Sequence, residues 1–212
     1  YYSCEVTEGS YIDNISAPNK ETKRFNCWTY SSGEPYDFGF WTSLPVNSDL
    51  NLYAQYSFDK DLAKASIKNH HLSPHLKVLN TTDFTNNFLG IKFESSADSH
   101  GSGVIYDYRD GYYYLLTNAH VVVVNKKIAE QVKDYNVFEM SVLDYEDDTY
   151  EAEVLFYRVD YDLAVLRFKS TKDYEIIKFA EKDASLGDDV ISVSNPLNSR
   201  NKIGLGKADS YK

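Results

Sequence analysis

Two residues of this 212-residue chain stand where proton-transfer chemistry would use them. His120 closes Thr117-Asn118-Ala119-His120, directly after the aromatic and aliphatic run Tyr112-Tyr113-Tyr114-Leu115-Leu116, which reads as a β-strand. An imidazole titrates near neutrality, so a histidine held in a short turn at a strand end is placed to act as a general base. Asp162 directly precedes Leu163-Ala164-Val165-Leu166, a strand that reads as apolar on both faces. A carboxylate at the mouth of such an element can fix the tautomer of an imidazole and stabilise its protonated form. Taken singly, each residue has a plainer reading, as a loop histidine or a turn aspartate.

The elements that must position this pair are strands. Fifteen per cent of the chain is aromatic and 19 residues are Tyr, a side chain suited to pleated, half-buried surfaces. From residue 84 onward the reading is a succession of short strands. They are Phe88–Phe93, Gly101–Tyr106, Tyr112–Leu116, Val137–Leu143, Tyr150–Phe156, Leu163–Phe168 and Val190–Val193. Asp110-Gly111 marks a tight hairpin. Lys126 to Tyr135 is charged and ambiguous, a helical turn or a long loop. Strands joined by short turns imply an antiparallel barrel or sandwich and not βαβ units.

Residues 1–56 form a separate compositional unit. Tyr11–Ile15, Arg24–Tyr30 and Leu50–Tyr56 read as strands, the last with Leu50, Leu52 and Ala54 on its buried face. Residues 57–82 read as a linker, with a weak helical pattern over Asp59 to Lys68 and polar Asn80-Thr81-Thr82-Asp83 at its end.

The formal net charge of −10 argues against nucleic acid and against an anionic membrane surface. No apolar run is long enough to cross a bilayer. Cys4 and Cys27 allow one disulfide and no framework. His70, His71 and His75 are close in sequence, yet no nearby Cys or carboxylate cluster completes a metal site, so they read as part of a solvated linker. The acidic tip Asp144-Tyr145-Glu146-Asp147-Asp148 lacks the spacing and central Gly of a calcium loop and reads as a solvated turn. No metal and no cofactor is expected. The chain does not begin with Met, and no charged and apolar leader precedes Tyr1-Tyr2-Ser3-Cys4, so a processed form or an excerpt is expected.

Two resemblances bear on function. Glu8-Gly9-Ser10, the Pro18 turn, Phe25-x-x-Trp28, Tyr36-Asp37-Phe38 and Leu50-x-Leu52-Tyr53-Ala54-x-Tyr56 resemble the Listeria-Bacteroides (internalin B-type) repeat, a small β-grasp-like module of bacterial surface proteins. Gly101-Ser102-Gly103-Val104-Ile105, Leu116 to Val122, Asp162 to Leu166 and Gly187-Asp188-x-Val190 with Ser194-Asn195-Pro196-Leu197 resemble the trypsin-like serine proteases of the HtrA/Deg branch. That second resemblance implies a mainly β, two-barrel fold over residues 83–212, with the second barrel incomplete. It implies His120 as general base and Asp162 as its orienting carboxylate. It implies a polypeptide substrate, and the two resemblances together imply a secreted or cell-envelope protein.

The family's nucleophile lies in a Gly-x-Ser-Gly-Gly turn, and no such segment occurs between residues 1 and 212. Ser102 and Ser194 belong to other motifs of the family pattern and are not assigned as nucleophile. The expectation is therefore a serine endopeptidase whose serine lies beyond residue 212, with this chain alone inactive. An inactive pseudoprotease and a surface adhesion protein are the alternatives. Val190–Val193 is expected to present an apolar edge, and Cys4 is a weak candidate for a lipid-anchor cysteine.

Overall fold

Alternating side chains along the strands from residue 75 onward build one closed antiparallel barrel. The computed structural model describes residues 3, 5–13, 15–38, 45–123, 135–196 and 199–210, with side chains at 84, 86–88, 95 and 135–138 excepted. The chain divides into two units, Tyr1–Ser66 and Ile67–Lys212.

In the first unit β1 (Lys23–Thr29) is the centre of a three-stranded antiparallel sheet, flanked by β2 (Pro35–Tyr36) and β3 (Tyr53–Phe58). A bulge between Phe25 and Cys27 lets Phe25 stand beside both Trp28 and Tyr56, at 5.8 and 5.7 Å between ring centroids. The Trp28 indole N–H donates to the Ile15 carbonyl at 2.9 Å, and the Tyr56 hydroxyl to the Pro18 carbonyl at 2.7 Å. Tyr11–Ile15 is not a strand. Its neighbour Ser10 makes one isolated bridge to Val46, and the described residues of the segment, 11–13 and 15, are in no ladder. Cys27 has no disulfide partner among the described residues, and Cys4 lies outside them.

The segment read as a linker over 57–82 is largely regular structure. Asp59 starts a helix, α1 (Lys60–His70), by accepting the backbone N–H groups of Asp61 and Leu62 at 2.9 and 3.0 Å, as an N-cap aspartate does. The division between units falls inside this helix. Residues from His75 onward are already barrel: β4 is His75–Phe88. Polar Asn80 and Thr82 disguise it, because they face the barrel interior, where only hydrogen bonding makes polar groups tolerable.

β4 pairs with β5 (Ile91–Arg109), which pairs with β6 (Tyr112–Thr117). The order continues through β9 (Leu163–Phe168), β8 (Thr149–Arg158) and β7 (Tyr135–Leu143), and β7 closes the barrel on β4. A short helix, α2 (Ala119–Val122), follows β6. Leu76, Val78, Ile105, Leu115, Val142, Ala164 and Leu166 are wholly inaccessible and fill the interior. Burying one such aliphatic side chain fully contributes roughly 1.5–3 kcal/mol. β9 alternates, with Ala164, Leu166 and Phe168 buried and Leu163 exposed, so it has one core face and not two.

The expected strand Phe88–Phe93 is instead a hairpin turn. Leu89 (φ 53°) and Gly90 (φ 83°) are its central residues, closed by the Phe88–Ile91 pair. Positive φ at both positions normally selects Asn-Gly or Asp-Gly, as Asp110-Gly111 does in the next hairpin. A leucine in that place hid the turn. Lys126 to Asp134 lies outside the described residues.

The remaining strands, β10 (Asp189–Ser194) and β11 (Lys202–Lys207), form a two-stranded antiparallel ladder outside the barrel order. Val190–Val193 is paired on one side by β11, and Val190 remains 36% exposed.

The acidic tip 144–148 is not simply a solvated turn. The Asp144 side chain is buried and accepts from the backbone N–H groups of Glu146 and Asp148, from Tyr174 Oη at 2.8 Å and from Lys172 Nζ at 2.9 Å. Tyr113, Phe168 and Tyr174 pack edge and face around it. This aromatic plug closes one end of the barrel.

Candidate active site

The opposite end carries His120 and Asp162, and antiparallel pairing puts them there. β6 and β9 run side by side with Tyr113 opposite Phe168 and Thr117 opposite Ala164. The chain leaving β6 therefore stands beside the chain entering β9. α2 begins on the first and Asp162 ends the 3₁₀ turn Val159–Tyr161 on the second.

α2 is pinned to the barrel from below. Ala119 and Val121 are buried, and the buried Asn80 amide donates to the Val121 carbonyl at 3.1 Å. Thr82 Oγ1 donates to Asn80 Oδ1, and Thr117 Oγ1 to the Ser102 carbonyl at 2.9 Å. The glycines of Gly101-Ser102-Gly103 admit this approach. A Cβ on Gly101 would overlap the Val121 side chain, and one on Gly103 would overlap Leu115.

Asp162 takes the left-handed conformation (φ 48°, ψ 45°), which aspartate tolerates better than most residues, and its N–H bonds the Val159 carbonyl. The bend aims its carboxylate at α2. Oδ1 accepts the His120 backbone N–H at 2.9 Å, while the imidazole Nδ1 lies 2.9 Å from Oδ1 and 2.7 Å from Oδ2. The backbone N–H of His120, then its ring, hold the Asp162 carboxyl below its ordinary value. An ionised carboxylate only accepts, so Nδ1 carries the proton and neutral His120 keeps a lone pair on Nε2. The His120 side chain is 68% exposed and that of Asp162 46%, so the ring is open to solvent. Beside α2, Val122 and Val154 to Tyr157 line a shallow recess of about 290 Å³.

The other candidates fall elsewhere. Ser102 Oγ accepts the Asn195 backbone N–H at 2.8 Å, which ties the end of β10 to the barrel. Ser194 sits in the β10–β11 ladder opposite Lys202. His71 pairs with Glu175 at 3.4 Å, while His75 opens β4, where burial pushes its imidazole down. Among the described residues the one group of three close metal-ligand side chains is Asp144, Glu146 and Asp148. Lys172 Nζ lies 2.9, 2.5 and 2.5 Å from these carboxylates, so a side-chain ammonium already supplies the cation.

Two residues at the site carried no role in the sequence reading. Asn118 donates to both the carbonyl and the carboxylate of Asp162, at 3.1 Å each. Its place just before a helix was the available signal. Asn80 was read as connector, and no local pattern marks an inward-facing polar strand residue.

Comparison with known proteins finds relatives of this chain. The chain is 30% identical over 126 residues to the serine protease Do-like HtrA of Lactococcus lactis subsp. cremoris, covering 56% of this chain and 28% of that protein. It is 31% identical over 106 residues to the serine endoprotease DegS of Haemophilus influenzae, covering 50% and 27%. It is 33% identical over 108 residues to a Buchnera aphidicola protein named "Probable periplasmic serine endoprotease DegP-like", covering 50% and 19%. The chain thus spans less than a third of the length of each of these relatives. Residues 101–211, from the Gly-Ser-Gly strand through β11, match the trypsin-like peptidase domain, and the chain belongs to that family.

Proposed function

We propose that this chain carries the base and its orienting carboxylate of a serine endopeptidase of the HtrA kind, acting on polypeptides. The observation that carries this reading is the His120–Asp162 pair, with Nδ1 at 2.7 Å from Oδ2 and the ring exposed. In this mechanism Asp162 keeps the proton on Nδ1 and stabilises the imidazolium. His120 Nε2 takes the proton of a serine hydroxyl as that oxygen attacks the peptide carbonyl, then returns it to the leaving amine. On this reading the serine comes from sequence outside residues 1–212, because no Gly-x-Ser-Gly-Gly segment occurs within them and Ser102 and Ser194 belong to other motifs of the family pattern. The family match and the names of the relatives support the reaction class.

The same reading places the protein outside the cytoplasm, supported by the printed name of the Buchnera relative. Residues 1–56 would then be a Listeria-Bacteroides-type module holding the protease at the envelope.

The test is labelling by a fluorophosphonate. The parent protein should label at one serine and the isolated chain at none. His120→Ala in the parent should lower turnover by roughly 10⁴–10⁶. Stoichiometric labelling of this chain alone, or full turnover without His120, would overturn the proposal. A parent that neither labels nor turns over would be an inactive relative.

A further inference from the structure

Asn118 occupies the N-cap position of α2, with extended backbone (φ −81°, ψ 145°), yet its side chain makes no capping hydrogen bond. Asparagine at that position ordinarily accepts a backbone N–H from the first helical turn. Here the carboxylate of Asp162 takes over that acceptor role, through Oδ1 to the His120 N–H at 2.9 Å. The amide of Asn118 is thereby released, and it points the other way. Nδ2 donates to the Asp162 main-chain carbonyl and to Asp162 Oδ2, both at 3.1 Å. A single NH₂ group thus ties the carboxylate to its own backbone. That contact restrains the side-chain torsion of a residue that is nearly half exposed and sits in the left-handed region.

We infer that Asn118 is a positioning residue, whose amide holds the Asp162 carboxylate in the orientation that keeps the His120 proton on Nδ1. It touches neither substrate nor a reacting atom and acts only through Asp162. An exposed carboxylate with a free torsion would share its time between the imidazole and water. The clamp removes that alternative without burying the pair, and leaves Oδ1 and Oδ2 both facing the ring. The inference rests on the proposed role of the His120–Asp162 pair and adds a residue to it.

The test uses this chain and needs no turnover. Chains labelled with ¹⁵N at histidine report the tautomer of each neutral imidazole by nitrogen chemical shift, and His120→Gln identifies the His120 signals. In the wild type, His120 should be mainly the Nδ1–H form, the reverse of the preference of free histidine in water. Asn118→Ala should lower the Nδ1–H to Nε2–H ratio about three- to tenfold, the equivalent of one net hydrogen bond. Asn118→Asp keeps the side-chain volume, has no N–H to donate at neutral pH and repels the Asp162 charge, so it should lower the ratio at least as far. It also carries the test if the alanine variant folds poorly. Asp162→Asn is the reference arm. If it abolishes the bias while both Asn118 variants leave the ratio unchanged, the positioning role is wrong and the His120–Asp162 reading stands. If the wild type shows no Nδ1–H preference, both fall together.

Discussion

Asp144 and Asp162 are the same side chain at opposite ends of one barrel, in opposite surroundings. Asp144 accepts two backbone N–H groups from its own turn and Asp162 one from α2, and each faces a basic side chain. Asp144 is buried, and its acceptor sites are filled by two backbone N–H groups, Tyr174 and Lys172. Its partner stays charged across the physiological range, because Asp148, Glu146 and Asp144 hold the Lys172 ammonium well above its usual value. Asp162 is half exposed, and its partner is an exposed imidazole. A saturated, buried carboxylate with a permanent cation is a rivet. An accessible carboxylate beside an exposed imidazole is the arrangement that the proposed proton transfer uses. The environment and the partner, not the aspartate, decide which.

The comparison can be broken most directly by deletion. Asp144→Ala should destabilise the barrel by about 2–4 kcal/mol, because Tyr174 and two backbone N–H groups lose a shared buried acceptor, while Lys172 keeps Glu146 and Asp148. Asp162→Ala, measured beside it by urea unfolding, should shift the midpoint less, since it loses one half-exposed cap contact and puts alanine in a left-handed position. Equal losses would mean that both aspartates are structural.

A smaller effect is expected where α2 rests on β5. Gly101→Ala puts a methyl group into the space of Val121, and overpacking of this kind costs about 1–3 kcal/mol. The displacement should show as a changed His120 environment by NMR. The Asp144 turn should keep its signals, since the group that Gly101→Ala displaces is the Val121 side chain of α2 and not that turn.

The smallest effect sits in the acid limb. Burial alone would raise the Asp144 carboxyl, but Lys172, Tyr174 and the two backbone N–H groups outweigh it and lower the value. The unfolded carboxyl titrates near about 3.9, so between the two values the unfolded state binds more protons and stability rises with pH. The contribution is therefore present above about pH 4 and is lost as pH falls through the folded value. The melting temperature of the wild type should drop more steeply below about pH 4 than that of Asp144→Asn. Parallel curves would remove Asp144 as the source. Asp162 has the same sign, with a smaller share because of its exposure.

Much of this fold was legible because its signals are local. Asp110-Gly111 states a hairpin by itself, and the aromatic and aliphatic runs Tyr112–Thr117 and Leu163–Phe168 are rich in strand-forming residues. Where reading failed, a tertiary demand had overridden the local rule. Leu89 fills a turn position that favours Asn or Gly, and Asn80 and Thr82 are polar yet face inward beneath α2. The acidic tip looked solvated because its cation, Lys172, arrives from 24 or more residues away.

By itself the sequence determined the chemistry available at the site. It named His120 and Asp162, and it fixed the turn and strand signals that bracket them, because residue type and short-range periodicity are written directly in the chain. Tertiary structure decided what those residues meet. Pairing of β6 with β9 brings positions 42 residues apart into hydrogen-bond contact. A left-handed backbone turns one carboxylate toward an imidazole, and a closed barrel end buries the other against a lysine. These are long-range contacts whose partners depend on register and closure, and no local pattern carries that information.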